Sequence, residues 1–299
     1  MKRFLGSCLL LLIASLLACS TGPGTVDSSP QVLDVRAGEN TATPAQSPIL
    51  RIATLNIAHG RGESLNQMLV TNSTIENNLA AIADFLQQQG IHIAALQEVD
   101  APSHWSGNMD QAGFIARRAG YPWWVQASHA SLGIADYGTA VLSTLPIHEA
   151  MQVDFPPSPP TAQKGFTLAQ IQWQPDEQAA VAIDVISIHM DFSRKSVRRQ
   201  QLEKLDLLLR ERRNPLILMG DFNSEYLASR LMESAAEDER HLHTWAGGES
   251  PHFSYKKKRL DWIIVSGELE FVDYTTAGEP LSDHKAVIAS LRLTENSGD

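Results

Sequence analysis

An acid and an amide stand two residues apart after a short apolar run, in Pro215-Leu216-Ile217-Leu218-Met219-Gly220-Asp221-Phe222-Asn223. The apolar residues are typical of a strand buried on both faces, and the glycine after them predicts a sharp turn. In an extended chain this spacing places Asp221 and Asn223 on one side, at the mouth of a sheet. Asp221 can take a proton from water, and Asn223 can orient that water or donate to an oxyanion. An ordinary Asx turn uses the same residue types, so this stretch alone does not predict catalysis.

Side chains that can act as ligands, acids or bases recur where other apolar runs begin or end. These residues are Asn56, Gln97, Glu98, His189, Asp261, Ser282, Asp283 and His284. Each one alone is also explained as a turn former, a cap or a buried group with a polar partner. Their common position at strand ends predicts one shared site at one rim of a sheet.

The elements expected to position these side chains alternate between strands and helices. Strands are predicted at residues 50–56, 91–96, 139–143, 166–173, 181–188, 216–219, 260–265, 270–275 and 286–293. One helix is predicted to begin at a capping box of Ser73 and Glu76 and to end at Gly90. Further helices are predicted at 110–119, at 194–213 and from Leu227 onward. Many strands with a few helices between them indicate an α/β (α+β) fold in which two sheets pack face to face with helices outside.

Residues 1–19 have the organisation of an export signal. A positively charged start precedes an apolar run at 9–17 that is too short to span a bilayer. The tetrapeptide Leu16-Leu17-Ala18-Cys19 resembles the lipobox of bacterial lipoproteins. This resemblance implies cleavage before Cys19, acylation of its thiol and attachment to a membrane of the bacterial envelope, at the outer membrane or periplasm. A plain secretory signal with a coincidental cysteine is the alternative.

The mature chain is expected to consist of a tether and one domain. Residues 20–47 are rich in Ser, Thr, Gly, Pro, Ala and Asn, which predicts a flexible tether with an r.m.s. span of ~30 Å. Residues 48–299 contain no internal repeat and no second linker, and they are predicted to form one catalytic domain. Because Cys8 is removed with the signal, the mature chain keeps only Cys19, which excludes an intramolecular disulfide and a cysteine metal cluster.

The charge balance disfavours long nucleic acid as a partner. The chain has a formal charge of −10, and loss of Lys2 and Arg3 leaves 22 basic and 34 acidic side chains, or −12. Proteins that bind nucleic acid typically present basic faces. Two local basic clusters nevertheless leave a nuclease as an alternative. The first consists of Arg194, Lys195, Arg198 and Arg199, and the second is the run Lys256-Lys257-Lys258-Arg259.

Six segments together resemble the endonuclease/exonuclease/phosphatase superfamily of metal-dependent phosphoesterases, in the family's order and across residues 50–293. They are Thr54-Leu55-Asn56-Ile57, Leu96-Gln97-Glu98-Val99, Ser187-Ile188-His189, Gly220-Asp221-Phe222-Asn223, Leu260-Asp261-Trp262-Ile263 and Ser282-Asp283-His284. The resemblance implies a four-layer αββα sandwich of two mixed β-sheets with helices outside. It also implies hydrolysis of a phosphoester by activated water, without a covalent enzyme intermediate.

The resemblance implies that a hard divalent cation, Mg²⁺ or Mn²⁺, is held by oxygen ligands. Glu98 is expected to be the principal ligand, with Asn56 beside it. Asp283 is expected to complete the shell of the metal or of its water. Whether the site holds one ion or two stays open.

The resemblance also implies the catalytic groups. Asp221 and Asn223 are expected to position and polarise the attacking water. His284, oriented by Asp261, is expected to contact the phosphate or to act as an acid or base. His189 is expected to bind the opposite oxygen or to protonate the leaving group. Whether Asp221 or His284 is the general base stays open.

Some positions depart from particular branches of the family. Ala58 stands where abasic-site endonucleases carry a second acid, and His189 stands where they carry tyrosine. The histidine is closer to deoxyribonuclease-like, sphingomyelinase-like and inositol-phosphatase-like members. The segment His59-Gly60-Arg61-Gly62 is similar to hydrolases of unknown substrate. The acid partner of His189 stays open between Asp136 and Glu149.

The sequence therefore predicts an envelope-anchored, Mg²⁺- or Mn²⁺-dependent phosphoesterase that acts as a monomer on a small or lipid-borne phosphoester. An envelope endonuclease or exonuclease acting on DNA or RNA is the alternative. A non-catalytic envelope binding protein on the same fold is a further alternative, although no catalytic carboxylate is lost. His241 and His243 are interpreted as surface residues, because two histidines without a third ligand make a weak zinc site.

Overall fold

The computed structural model describes residues 29–38, 47–65, 70–104, 106–131, 135–175, 179–248 and 250–294. These residues form two seven-stranded sheets packed face to face, with helices on both outer faces. The predicted four-layer αββα sandwich is confirmed. The described part of the chain has no helix that is long and apolar enough to cross a membrane. Cys19 and the predicted signal segment lie outside the described residues.

The first sheet has the spatial order β1-β7-β8-β9-β10-β12-β11. These strands are β1 (Gln31–Val32), β7 (Ile147–Asp154), β8 (Gly165–Trp173), β9 (Val181–His189), β10 (Leu216–Asp221), β12 (Asp261–Ser266) and β11 (Leu242–Thr244). The second sheet has the order β13-β14-β3-β4-β6-β5-β2. Its strands are β13 (Leu269–Thr276), β14 (Val287–Leu293), β3 (Leu50–Asn56), β4 (Ile93–Asp100), β6 (Asp136–Ser143), β5 (Trp123–Ser131) and β2 (Arg36–Ala37). The helices are α1 (Asn72–Gln88), α2 (Gln111–Ala119), α3 (Lys195–Arg210) and α4 (Leu227–Glu237), with a 3-10 turn at Ala58–Gly60.

Three apolar layers hold the sandwich together. The inner layer lies between the sheets, and the other two lie under the helices. Helices α1 and α2 cover the second sheet, while α3 and α4 cover the first. The apolar stripe predicted for α1 is buried against the sheet and consists of Ile75, Leu79, Ile82 and Leu86. Because each central strand is covered on both faces, its sequence is a nearly continuous run of apolar residues.

Two parallel strand pairs bring the polar strand ends to one rim. Helix α1 connects parallel β3 and β4, and α3 connects parallel β9 and β10. The carboxyl ends of parallel neighbours meet at one edge, so Asp221 pairs in register with His189. Antiparallel β12 begins at this edge, where Asp261 pairs with Asp221 on its other side. Strand register therefore aligns three of the predicted catalytic residues.

Several predicted elements differ from the structure. Helix α1 is capped by Thr71, whose hydroxyl accepts from the Thr74 N–H at 3.2 Å, so the predicted capping box of Ser73 and Glu76 is wrong. Strands β5 and β7 were not predicted, because a register shift in each breaks the alternation of period two. Helix α3 ends at Arg210 rather than at 213.

The segment predicted to be a flexible tether contains two short strands. Strand β1 pairs with the edge of the first sheet at β7, and β2 pairs with the edge of the second sheet at β5. Edge pairing uses backbone N–H and C=O groups and requires no side-chain pattern. Ser- and Gly-rich composition therefore did not indicate these strands, and the chain joins the fold earlier than residue 48.

Candidate active site

Asp221 lies at the centre of the polar rim. Its Oδ2 atom accepts a hydrogen bond of 3.2 Å from the Asn56 amide. The Nε2 atom of His189 lies 3.7 Å from the same oxygen, and Nε2 of His284 lies 3.9 Å from it. Both sheets contribute to this group, since Asn56 ends β3 and His189 ends β9. The structure thus brings together four residues that the sequence placed in separate segments.

The loop after Asp221 combines a close backbone approach with an Asx turn. A Cβ atom on Gly220 would lie 2.1 Å from the carbonyl oxygen of Ile188, so glycine is required by strand packing rather than by the predicted sharp turn. Asn223 has a φ of 50° and donates its N–H to Asp221 Oδ1 at 2.8 Å. Its amide also donates to the Met190 carbonyl at 3.0 Å. The Asx turn therefore holds the Asn223 side chain at the cavity that Asp221 lines.

A bulge in β4 directs Glu98 into the site. The pairing of β4 with β6 shifts between Gln97 and Val99, and Glu98 itself has a φ of 53°. A non-glycine residue in this region is strained, and such strain is concentrated at functional sites. The Gln97 amide donates to the Ser187 hydroxyl across the sheets at 3.0 Å. This bond sets the position of β4, and with it Glu98, relative to the opposite sheet.

Histidine and lysine side chains surround the Glu98 carboxylate. His59 Nε2 lies 3.4 Å from Oε2, and His189 Nε2 lies 3.7 Å from Oε1. Burial by itself raises the pKa of Glu98, but His59, His189, Lys164 and His284 together lower the pKa to about 2. Glu98 is therefore ionised at neutral pH.

His59 is a site residue whose partner the sequence did not reveal. Its Nδ1 atom lies 2.6 Å from Oδ1 of the buried Asp100, and its ring contacts Tyr137 edge-on. Burial lowers the pKa of His59, but the hydrogen bond with Asp100 and the charge of Glu98 raise it above its usual value. His59 therefore bridges two carboxylates of β4.

Asp261 and His284 form a buried hydrogen-bonded pair. Their Oδ2 and Nδ1 atoms are 2.7 Å apart. Burial lowers the pKa of His284, but Asp261, Asp221 and Asp283 outweigh it and raise the pKa to about 10. Burial and the charge of Asp261 raise the pKa of Asp221 to about 7, against the opposing effect of His284. His284 is therefore the proton-bearing group, and Asp221 can accept a proton near neutral pH.

Ser282 holds the loop that carries Asp283 and His284 against the end of β3. Its hydroxyl donates to the Asn56 carbonyl at 2.6 Å and accepts from the His284 N–H at 2.9 Å. The neighbouring Asp283 carboxylate forms an ion pair of 2.7 Å with Arg61. The predicted ligand Asp283 therefore lies at the site, together with a guanidinium group that strand-end patterns did not single out.

The assembled groups line a cavity of about 410 Å³. Its walls are formed by Asn56, Arg61, Glu98, His189, Phe192, Asp221, Asn223, Tyr255, Lys258, Leu260, Asp283 and His284. Phe192 is 64% exposed, and the Tyr255 ring lies 4.8 Å from the His284 ring. The pattern of strand ends did not identify Phe192, Tyr255 or Lys258, because loops carry them into the cavity.

Two sequence interpretations concern histidines. Within the described residues, the carboxylates within 4.0 Å of His189 are those of Glu98 and Asp221, so neither Asp136 nor Glu149 is its acid partner. His241 and His243 stack on each other, with ring centroids 5.4 Å apart, and they do not line the cavity.

The donor set fits a hard divalent cation. Glu98, Asn56 and Asp283 all face one cavity and offer oxygen atoms, which Mg²⁺ and Mn²⁺ prefer. Asn56 Oδ1 already accepts from the Ala58 N–H at 3.0 Å, which leaves a second lone pair. Ligand atoms of Asp221, Asp261 and His284 also lie within 4.8 Å of one another. In that second group the hydrogen bond between Asp261 and His284 competes with metal binding.

The fold and the site define the class of protein as an αββα sandwich with a cavity lined by carboxylates and histidines at one rim. The sequence model described as "Endonuclease/Exonuclease/phosphatase family" matches residues 53–284, and the chain belongs to that family. Members of this family hydrolyse phosphoesters and depend on divalent metals. No curated protein matches the chain at the level of sequence.

Solved structures with the same fold are distant in sequence. An endonuclease/exonuclease/phosphatase family protein from Leptotrichia buccalis C-1013-b is 18% identical, with a TM-score of 0.62 over 82% of this chain and 100% of that chain. The human Nocturnin catalytic domain with bound sulfate is 17% identical, with a TM-score of 0.60 over 88% and 98%. A mannosyl-6-phosphatase from Bacteroides thetaiotaomicron VPI-5482 is 17% identical, with a TM-score of 0.52 over 81% and 99%. At these identities the likeness establishes the fold alone.

Proposed function

We propose that this protein hydrolyses a small or lipid-borne phosphoester with water that Asp221 activates, in the presence of Mg²⁺ or Mn²⁺. One observation carries the proposal: a single cavity holds an ionised glutamate, a proton-accepting aspartate and a protonated histidine. These groups are Glu98, Asp221 and His284. Such a set can bind a cation, deprotonate water and stabilise an anionic transition state within one site.

The acid–base groups support Asp221, rather than His284, as the general base. A base is most effective when its pKa is close to the working pH, and Asp221 meets that condition. His284 holds its proton at neutral pH and would donate a charge-assisted hydrogen bond to a phosphate oxygen. Asn223, fixed by its bond to the Met190 carbonyl, would orient the water beside Asp221.

The residues that would hold the cation are Glu98, Asn56 and Asp283. When bound, the cation supplies positive charge that neutralises phosphate oxygens. The chain contributes the ionised Glu98 carboxylate, which the β4 bulge directs into the cavity. Arg61, paired with Asp283, would add a further positive charge at this wall.

The walls of the cavity favour a small or lipid-borne substrate. Its size suits a small molecule or a head group rather than a duplex. Arg61 and Lys258 would contact anionic groups beside the scissile phosphate, and the exposed Phe192 would contact an apolar part. One structural relative is named a mannosyl-6-phosphatase, and a sugar phosphate is accordingly one candidate within this class.

A nuclease is the second candidate, and the two basic clusters favour it only in part. Arg194 donates to the Ser158 carbonyl, and Arg198 is buried and donates to the Asp191 carbonyl at 2.9 Å. Arg259 packs 3.9 Å over the Trp262 ring. These cations stabilise the fold, and the exposed Lys256, Lys257, Lys258, Lys195 and Arg199 remain for contacts with a phosphate backbone.

We also propose that the enzyme acts at the bacterial envelope as a monomer anchored through acylated Cys19. The support is the lipobox-like segment before this cysteine and the polar composition that follows it. A lipid anchor would keep the cavity near membrane-borne phosphoesters. Strand β1 begins at Gln31, so the anchor would be separated from the folded part by about a dozen residues.

A panel assay with Mg²⁺ tests the proposed function. Its substrates are bis-p-nitrophenyl phosphate, sphingomyelin, inositol phosphates, a sugar phosphate and plasmid DNA, each with wild type and Asp221→Asn. We expect turnover of a small or lipid-borne phosphoester that Asp221→Asn abolishes. Preferred cleavage of DNA would establish the nuclease instead. Binding without turnover of any substrate would establish a non-catalytic protein.

A further inference from the structure

A buried lysine lies against one of the site histidines. Lys164 stands just before β8 and is 6% exposed, and its Nζ lies 3.3 Å from Nδ1 of His189. In the described part of the chain no carboxylate comes within 4.0 Å of this ammonium group, which also lies 5.8 Å from the centroid of the Tyr137 ring. A lysine is seldom buried without such a partner, so this contact requires an explanation.

The neighbours of His189 constrain where its ring carries a proton. Nδ1 faces the Lys164 ammonium, which has donors and no acceptor. Nε2 faces Oε1 of Glu98 and Oδ2 of Asp221, each at 3.7 Å. A ring nitrogen that accepts from an ammonium group must keep its lone pair, and a neutral imidazole then carries its one hydrogen on Nε2.

The other two ring states conflict with these neighbours. A proton on Nδ1 alone would need a neutral lysine as acceptor. Protons on both nitrogens would set an N–H of a cationic ring against the Lys164 ammonium, at 3.3 Å. Only the neutral ring with hydrogen on Nε2 leaves a lone pair on Nδ1 for the Lys164 ammonium group.

We propose that Lys164 is a positioning residue that holds His189 as a neutral ring with hydrogen on Nε2. In this state His189 acts in the cavity as a hydrogen-bond donor to a phosphoester oxygen, and it cannot act as a base there. The catalytic part of this inference rests on the proposed phosphoester hydrolysis, whereas the ring state does not.

The partner at Nδ1 distinguishes the two histidines of the site. His284 has a carboxylate there, at 2.7 Å, which favours a charged ring. His189 has an ammonium group in the equivalent place, which favours a neutral ring. The cavity thus receives one cationic donor and one neutral donor from residues of the same type, and the sign of the partner's charge sets the difference.

The ring state can be measured directly with ¹⁵N-labelled histidine. A long-range ¹H–¹⁵N spectrum of the purified protein at pH 7, without and with Mg²⁺, separates protonated from unprotonated ring nitrogens, and His189→Gln assigns the signals. We expect an unprotonated Nδ1 and a protonated Nε2 in wild type. A protonated Nδ1, alone or together with Nε2, would overturn the proposal, whatever the enzyme's activity.

Kinetics of Lys164→Met then test the catalytic part with the preferred substrate of the panel. We expect kcat to fall roughly 10- to 100-fold, the range for losing a group that orients a catalytic residue, with KM little changed. Lys164→Arg, which keeps a donor beside Nδ1, should lose less. Lys204→Met removes a half-buried lysine bonded to the Asp154 carbonyl and serves as the matched control, with kcat unchanged.

Two results separate this inference from the proposed function. An unchanged kcat in a folded Lys164→Met variant would refute the positioning role while phosphoester hydrolysis stands. Absence of turnover in wild type would refute the proposed function, and the nitrogen spectrum would still decide the ring state. If Lys164→Met does not fold, the spectrum of wild type alone decides.

Discussion

The Nδ1 atom of His284 lies 2.7 Å from Oδ2 of Asp261, and both side chains are buried. Asp261 begins β12, in register with Asp221 on β10, so the strand that holds the carboxylate is fixed by sheet pairing. The ring cannot rotate freely while this bond persists, and its Nε2 faces Asp221. Asp261 therefore both orients His284 and stabilises its positive charge.

Asp261→Asn is expected to lower kcat by at least ~100-fold, the order found when positioned acid–base or electrostatic help is lost. KM should change little, because the residue touches His284 rather than the cavity. Adding His284→Ala should cost little beyond His284→Ala alone, since the pair acts as one unit. Steady-state kinetics of the two single variants and the double variant provide the measurement.

The control for this cycle is Asp273→Asn, which removes an exposed carboxylate of β13. It should leave kcat within about twofold of wild type, as is usual for surface substitutions. Losses that multiply across Asp261→Asn and His284→Ala would mean that the two residues act independently.

Chelation is expected to abolish turnover, and Mg²⁺ or Mn²⁺ is expected to restore it. Glu98→Gln should weaken Mn²⁺ binding in calorimetry and remove activity, because it replaces an ionised ligand with a neutral amide. The fold should persist, since Glu98 lies at the rim of a sheet whose core is elsewhere. Glu270→Gln, at an exposed ion pair with Arg292, is the control and should bind metal as wild type does. Full activity in EDTA would refute the metal assignment.

The protein is expected to become less stable as pH rises, because the buried Asp221 carboxyl group ionises. Its pKa in the folded state is about 7, above the ordinary 3.8, so between pH 4 and pH 7 the folded state keeps a proton that the unfolded state loses. The free energy of unfolding therefore falls through this range. In EDTA at pH 8, Asp221→Asn should unfold at a Tm about 2–4 °C above wild type, which corresponds to ~1 kcal/mol. The difference should vanish below pH 4.

Thermal unfolding at pH 4, 6 and 8 provides this measurement. Asp273→Asn is the control, because the Asp273 carboxylate is already exposed in the folded state. The control should show no such pH-dependent gain. A wild type that remains at least as stable as Asp221→Asn at pH 8 would mean that burial does not oppose ionisation of Asp221.

Labelled palmitate is expected to enter the wild-type chain and not Cys19→Ser, because the lipobox-like segment directs acylation to that thiol. Cys19→Ser should also stop maturation before residue 19, as seen by the mobility of the product. Cys8→Ser is the control and should be labelled as wild type is, since Cys8 would leave with the signal. Equal labelling of wild type and Cys19→Ser would refute the lipid anchor.

Much of the fold was predictable because central strands and helices carry strong local patterns. The apolar runs before Asn56, His189 and Asp221 identified strands that are buried on both faces. Strands β5 and β7 were missed, because their register shifts interrupt the alternation. Strands β1 and β2 were missed, because edge pairing depends on backbone groups that every residue has.

The sequence by itself determined the class of fold and the types of side chain at the strand ends, since both follow from local periodicity and order along the chain. Tertiary structure decided what each side chain does. The pairing of Lys164 with His189, and of His59 with Asp100, joins residues that no local pattern connects. Charge state depends on distances through space and on burial, and these exist only after the two sheets have packed.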